Sequence, residues 1–67
     1  MEMKLIINGM EKEFNCEKVS DLLNILNIKK DTVAIELNKN IVHRENFDKV
    51  ELNNKDKLEI VKVVGGG

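Results

Sequence analysis

This sequence predicts an α+β fold in which one main amphipathic helix packs across a mixed sheet of four to five strands. Three features point to it: an Asn8-Gly9 pair between two strand-like runs, one segment with helical apolar spacing, and several short β-branched runs after it.

Met3-Lys4-Leu5-Ile6-Ile7 is aliphatic and β-branched, and reads as the first strand. Asn8-Gly9 follows, and both residues tolerate the positive φ that a tight hairpin turn demands. Glu11 to Cys16 then alternates polar residues with Phe14 and Cys16, as a returning antiparallel strand does. Val19, Leu22, Leu23 and Leu26 fall at i, i+3, i+4 and i+7, one face of a helix that Ile25 and Ile28 widen. Ser20 is the expected N-cap, and Asp21 places negative charge in the first turn. The helix should end near Asn27, with Lys29 and Lys30 suited to its negative end. Val33 to Leu37 reads as a third strand with Val33, Ile35 and Leu37 on one face. Asn38-Lys39-Asn40 is a turn and Ile41-Val42 a short fourth strand. Phe47 anchors an otherwise polar segment from Arg44 to Lys49, Val50-Glu51-Leu52 is a further brief strand, and Asn53 to Asp56 is turn material. Lys57 to Val64 is the last strand.

A hairpin and one helix with a single apolar stripe must bury that stripe against a sheet face. The order of elements is that of the β-grasp, or ubiquitin-like, arrangement, with a domain at 1–64 and a glycine tail at 65–67. Many functions share that fold, so the activity has to be read from particular residues.

Composition removes several classes. Hydrophobic residues are 42% of the 67, enough for one modest core. Eleven basic and twelve acidic residues are scattered along the chain, and Phe14 and Phe47 are its two aromatics, so nucleic acid finds neither a basic stripe nor a stacking platform. Cys16 and His43 fall short of the four ligands of a structural zinc site. No apolar run has the length of a membrane span, and no signal-peptide pattern opens the chain, so a cytoplasmic location is expected.

Three of the four glycines are the last three residues, and a core-forming strand leads straight into them. Four residues from Val64 to Gly67 extend about 13 Å, at roughly 3.3–3.6 Å each. Lacking side chains, they fit a channel too narrow for other residues. A free α-carboxyl ionises near a pH of about 3.5 and is unreactive at neutrality. It becomes an electrophile once activated, most simply as a mixed anhydride with AMP. By itself, a terminal glycine run also fits a frayed end.

Val33-Ala34-Ile35-Glu36-Leu37-Asn38, read as a VAVELN-type strand and turn, and Ile41-Val42 followed by Arg44-Glu45 and Phe47, read as an IVPRExW/F segment, resemble the ThiS family of sulfur carriers. The resemblance covers essentially the full length and is densest in the second half. Lys57 to Gly67 matches the family's final strand and tail almost throughout. His43 stands where proline is common, Lys39 where glycine often is, and Asn53-Asn54-Lys55 replaces an acidic-glycine turn. The resemblance implies a carrier that is a co-substrate, not an enzyme. It binds no cofactor itself. A ThiF-type adenylating partner uses ATP and magnesium to form an acyl-adenylate on Gly67, and sulfur from a persulfide donor displaces AMP to leave a thiocarboxylate. A ThiG-type thiazole synthase, working in thiamine biosynthesis, accepts that sulfur. Gly66 and Gly67 match the family's terminal pair, and Gly65 a glycine that some members have.

Ile6, Val61 and Val63 lie at the parity opposite Leu5, Ile7, Leu58 and Ile60, and are the expected docking surface for those partners. Cys16, in phase with Phe14, reads as a small buried hydrophobe; His43 and Arg44 read as solvated. The remaining alternatives are a MoaD-type carrier for molybdopterin synthesis, a ubiquitin-like protein modifier, and an interaction module with an inert tail.

Overall fold

The computed structural model describes residues 2–63. The expected glycine tail and the last residue of the expected final strand, Val64, lie outside these residues. Strands β1 (Glu2–Ile7) and β2 (Met10–Asn15) form the opening hairpin. Asn8 and Gly9 both have positive φ, 50° and 85°, the combination that matches a two-residue turn to the twist of its strands. The returning strand begins one residue before the expected start, because this turn pairs Met10 with Ile7. Cys16 falls just beyond it and is buried all the same.

Helix α1 spans Val19–Leu26, and Ser20 is not its cap. Lys18 occupies that position in extended conformation, and Asp21 serves the turn from inside the helix. Its carboxylate accepts the backbone N–H groups of Lys18 (3.0 Å) and Glu17 (3.2 Å). The first helical N–H groups, which have no partner within a helix, donate to distant carbonyls: Val19 to Val50 (3.3 Å) and Ser20 to Phe47 (2.8 Å). At the other end Asn27 is left-handed at φ 61°. The N–H of Ile28 bonds the Leu23 carbonyl (2.9 Å) and that of Asn27 the Asn24 carbonyl (3.1 Å), a Schellman closure. Val19, Leu22 and Leu23 are buried and Leu26 and Ile28 half-buried, as the spacing predicts, whereas Ile25 is half exposed.

Strand β3 (Val33–Leu37) and β4 (Asn40–Val42) form a second hairpin, closed by Asn38 and Lys39 at φ 50° and 73°. A 3-10 turn at Arg44–Asn46 delivers Phe47 into the core. The expected strand at Val50–Leu52 is reduced to a bridge between Glu51 and Lys18 and a bond from the Leu52 N–H to the Glu17 carbonyl (2.8 Å). This segment braces the entry to α1 and does not join the sheet. β5 (Asp56–Lys62) completes a five-stranded sheet in the order β2-β1-β5-β3-β4. β1 and β5 run parallel, and the other neighbours antiparallel.

One face of the sheet carries the core. Leu5, Ile35 and Leu58 meet Val19 and Leu22 of α1, with Phe47 and Leu52 closing the end. One buried carboxylate, Asp56, is fully engaged: it accepts the Asn38 side-chain amide (3.0 Å) and the backbone N–H of Asn53 (2.7 Å). Phe47→Ala removes a ring that is 2% exposed, and should lower stability by about 3–5 kcal/mol in urea unfolding. A 67-residue chain has little more than that to lose.

Burial, and secondarily the charge of Asp21, raises the Cys16 thiol above its ordinary value of 9.0. The unfolded chain therefore loses that proton first, and stability should fall as pH rises past about 9. Cys16→Ser should flatten that alkaline limb of a pH–stability curve, and the wild-type thiol should react with Ellman's reagent only on unfolding.

Candidate functional site

β5 is the central strand, and it runs directly toward the glycine end of the chain. Alternation along it separates two populations. Asp56, Leu58 and Ile60 turn to the core side, and Lys57, Glu59 and Val61 to the face away from α1. Val61 is 57% exposed and Val63, just past the strand, 50%. Ala34 lies beside Val61 in register, and Ile41 of β4 is 68% exposed on the same face.

The structure brings Val61 and Val63 together but sets Ile6 apart. In the parallel ladder Ile6 is level with Lys57, four residues before Val61, a separation of roughly 13 Å along the strand. Ile6 is half-buried and borders a shallow depression with Gly9, Glu36, Asn38, Lys39 and Lys57. Between these apolar ends stand Glu36 and Glu59, directly opposite each other on β3 and β5. Like charges so placed disfavour the pairing. Neither carboxylate has an ion-pair partner among the described residues, where Lys55–Glu11 is the salt bridge found. The face is thus a strip: aliphatic at Val61 and Val63, acidic in the middle, half-buried Ile6 beyond.

Sequence reasoning missed Ala34, Glu36, Glu59 and Ile41. Their parity was readable, since Ala34 and Glu36 alternate with Val33, Ile35 and Leu37. Their neighbourhood depends on the β3–β5 register, which spans more than twenty residues of sequence.

His43 and Arg44 are exposed, and among the described residues no group of His, Cys, Asp or Glu that could hold a metal is assembled. Cys16 is buried beneath the sheet end, away from this face. Gly65, Gly66 and Gly67 lie outside the described residues, as does any geometry at the terminal carboxylate. Among the described residues, no helix is long and apolar enough to cross a membrane.

The sequence pattern of the ThiS family matches residues 5–67 of this chain. A thiazole synthase of Paramagnetospirillum magneticum is 44% identical over 66 residues, which cover 97% of this chain but only 20% of that protein. The sulfur carrier protein ThiS of Bacillus subtilis is 35% identical over 65 residues, covering 94% of this chain and 98% of the relative. Among solved structures, the thiamine biosynthesis protein ThiS of Geobacter metallireducens superposes with a TM-score of 0.83 at 30% identity, covering 97% of this chain and all of that one. With the family pattern running from the first strand to the last glycine, and the β-grasp sheet matched across its width, this chain belongs to the ThiS family.

Proposed function

We propose that this protein is a sulfur carrier for thiazole formation in thiamine biosynthesis, and that the Gly67 carboxylate carries the sulfur. The observation that supports this reading most directly is the extent of the family match, which runs through the central strand to Gly67 itself.

In this reading the carboxylate attacks the α-phosphorus of ATP, magnesium-bound in a ThiF-type partner, and pyrophosphate leaves. The acyl-adenylate is then attacked at its carbonyl carbon by the terminal sulfur of a persulfide, which expels AMP. A thiol cleaves the resulting acyl disulfide and leaves a thiocarboxylate on Gly67. The carrier supplies no acid, base or metal to these steps. It supplies a carboxylate on a side-chain-free stalk, with Gly65 and Gly66 passing through the partner's channel. A ThiG-type synthase consumes the sulfur. The relative named thiazole synthase supports that partnership, since 20% of its length matches 97% of this chain.

Val61, Val63 and Ile6 form the docking surface in this reading, with Glu36 and Glu59 between them calling for basic groups on the partner. In this reading the exposed Val61 and Val63 bind the partner six and four residues before the group to be activated. The binding energy is then spent on positioning Gly67.

Incubation with a ThiF-type enzyme, ATP, magnesium and a persulfide source should raise the intact mass by the difference between sulfur and oxygen. A chain lacking Gly67 should show no gain. Absence of a gain in the full chain, with the enzyme active on another carrier, rejects the assignment. Val61→Lys should keep the far-ultraviolet circular dichroism of the wild type and weaken partner binding about tenfold or more, read by titration calorimetry. An unfolded Val61→Lys chain contradicts the exposed position.

A further inference from the structure

The last strand is held to different lengths on its two sides. β3 pairs with it as far as Lys62, and the Val63 N–H still donates to the Thr32 carbonyl (2.9 Å). On the other side β1 pairs with it only as far as Leu58. Beyond Leu58, one residue stands in for the missing strand. Asn8 donates its backbone N–H to the Leu58 carbonyl (2.9 Å) and turns its side chain along β5. There its Oδ1 accepts the Ile60 N–H (2.8 Å) and its Nδ2 donates to the Ile60 carbonyl (3.2 Å). The carboxamide reproduces both bonds of a peptide group in the ladder.

We propose that Asn8 is a positioning residue for the carrier function: by closing the β1-side ladder at Ile60 it holds the end of the last strand in the sheet on the side where β1 has stopped pairing. The inference rests on the carrier reading given above. Asparagine is the side chain suited to this position. It tolerates the left-handed turn, φ 50° here, and it offers a donor and an acceptor at the right reach. Aspartate keeps the acceptor but turns an oxygen toward the Ile60 carbonyl. Alanine keeps neither group.

Without the clamp, Ile60 to Val63 is held from the β3 side alone. Fraying of that end takes Val61 and Val63 out of the sheet face, and a frayed strand must be reordered on docking.

The fold contains its own control. Asn38 grips the opposite end of β5 in the same way. Its N–H donates to the Lys57 carbonyl (2.7 Å), its Oδ1 accepts the Lys57 N–H (3.0 Å), and its Nδ2 reaches the Asp56 carboxylate (3.0 Å). Loss of Asn38 weakens the fold far from the tail exit.

The test compares Asn8→Ala, Asn8→Asp and Asn38→Ala with the wild type, at a temperature where circular dichroism shows all four folded. Sulfur-charging kinetics with the ThiF-type enzyme are read together with amide exchange at Val61 and Val63. Both Asn8 variants should raise the KM for the carrier about fivefold or more at unchanged kcat, the effect of roughly one net hydrogen bond. They should also speed exchange at Val63, while Asn38→Ala leaves both readouts near wild type. Wild-type KM in folded Asn8→Ala overturns the proposal, as does an equal KM rise in Asn38→Ala. If the wild type itself is not charged, the carrier reading fails, and unaltered Val63 exchange in Asn8→Ala then separately overturns the clamp.

Discussion

The pairing of β5 between β1 and β3 is the constraint on which the rest of the molecule depends. β5 is the last strand in sequence and the middle one in space, so the fold is complete only when the chain end is inserted between its first and third strands. Parallel pairing with β1 requires a crossover. α1 is part of that crossover, and it covers the face on which Leu5, Ile35 and Leu58 are buried. One insertion therefore closes the core and orders the sheet.

Asparagines carry much of the joinery. Asn8, Asn27 and Asn38 all adopt positive φ, where most side chains are strained and Asn is tolerated. Asn27 ends the helix, and Asn8 and Asn38 close the two hairpins. The hairpin pair then uses its carboxamides on β5, one near each end of the strand. Asn54 does similar work where β1 begins, its Oδ1 accepting the Lys4 N–H (2.7 Å). A chain without proline thus sets its turns by side chains that both permit the turn and bind across it.

The two faces of the sheet contribute differently to stability. On the core side a compact aliphatic cluster carries the fold, with Phe47 and Leu52 sealing the end where α1 begins. On the other side exposed valines and paired carboxylates weaken the fold or leave it unchanged, and in the proposed reading they are what a partner covers. In that reading the docking face lies on the strand whose sequence continues into the terminal glycines.

Local physics made most of this legible in the sequence. Asn8-Gly9 and the strand-like runs beside it specified the first hairpin, and the spacing of Val19, Leu22, Leu23 and Leu26 specified one helix with one buried face. Alternation in 33–37 and 57–63 separated inward from outward residues, because side-chain direction in a strand is a matter of parity alone. The family likeness was readable for the same reason, in short motifs. What parity does not contain is register across distant strands. Only the tertiary structure decided that Val61 stands beside Ala34 while Ile6 lies apart from it, and that Glu36 meets Glu59. It also decided that carbonyls of Phe47 and Val50 begin a helix for which Ser20 was the expected cap, and that 50–52 braces that helix as a bridge. Hydrogen-bond partners some thirty residues away, chosen by core packing, overrode the local rule in each case.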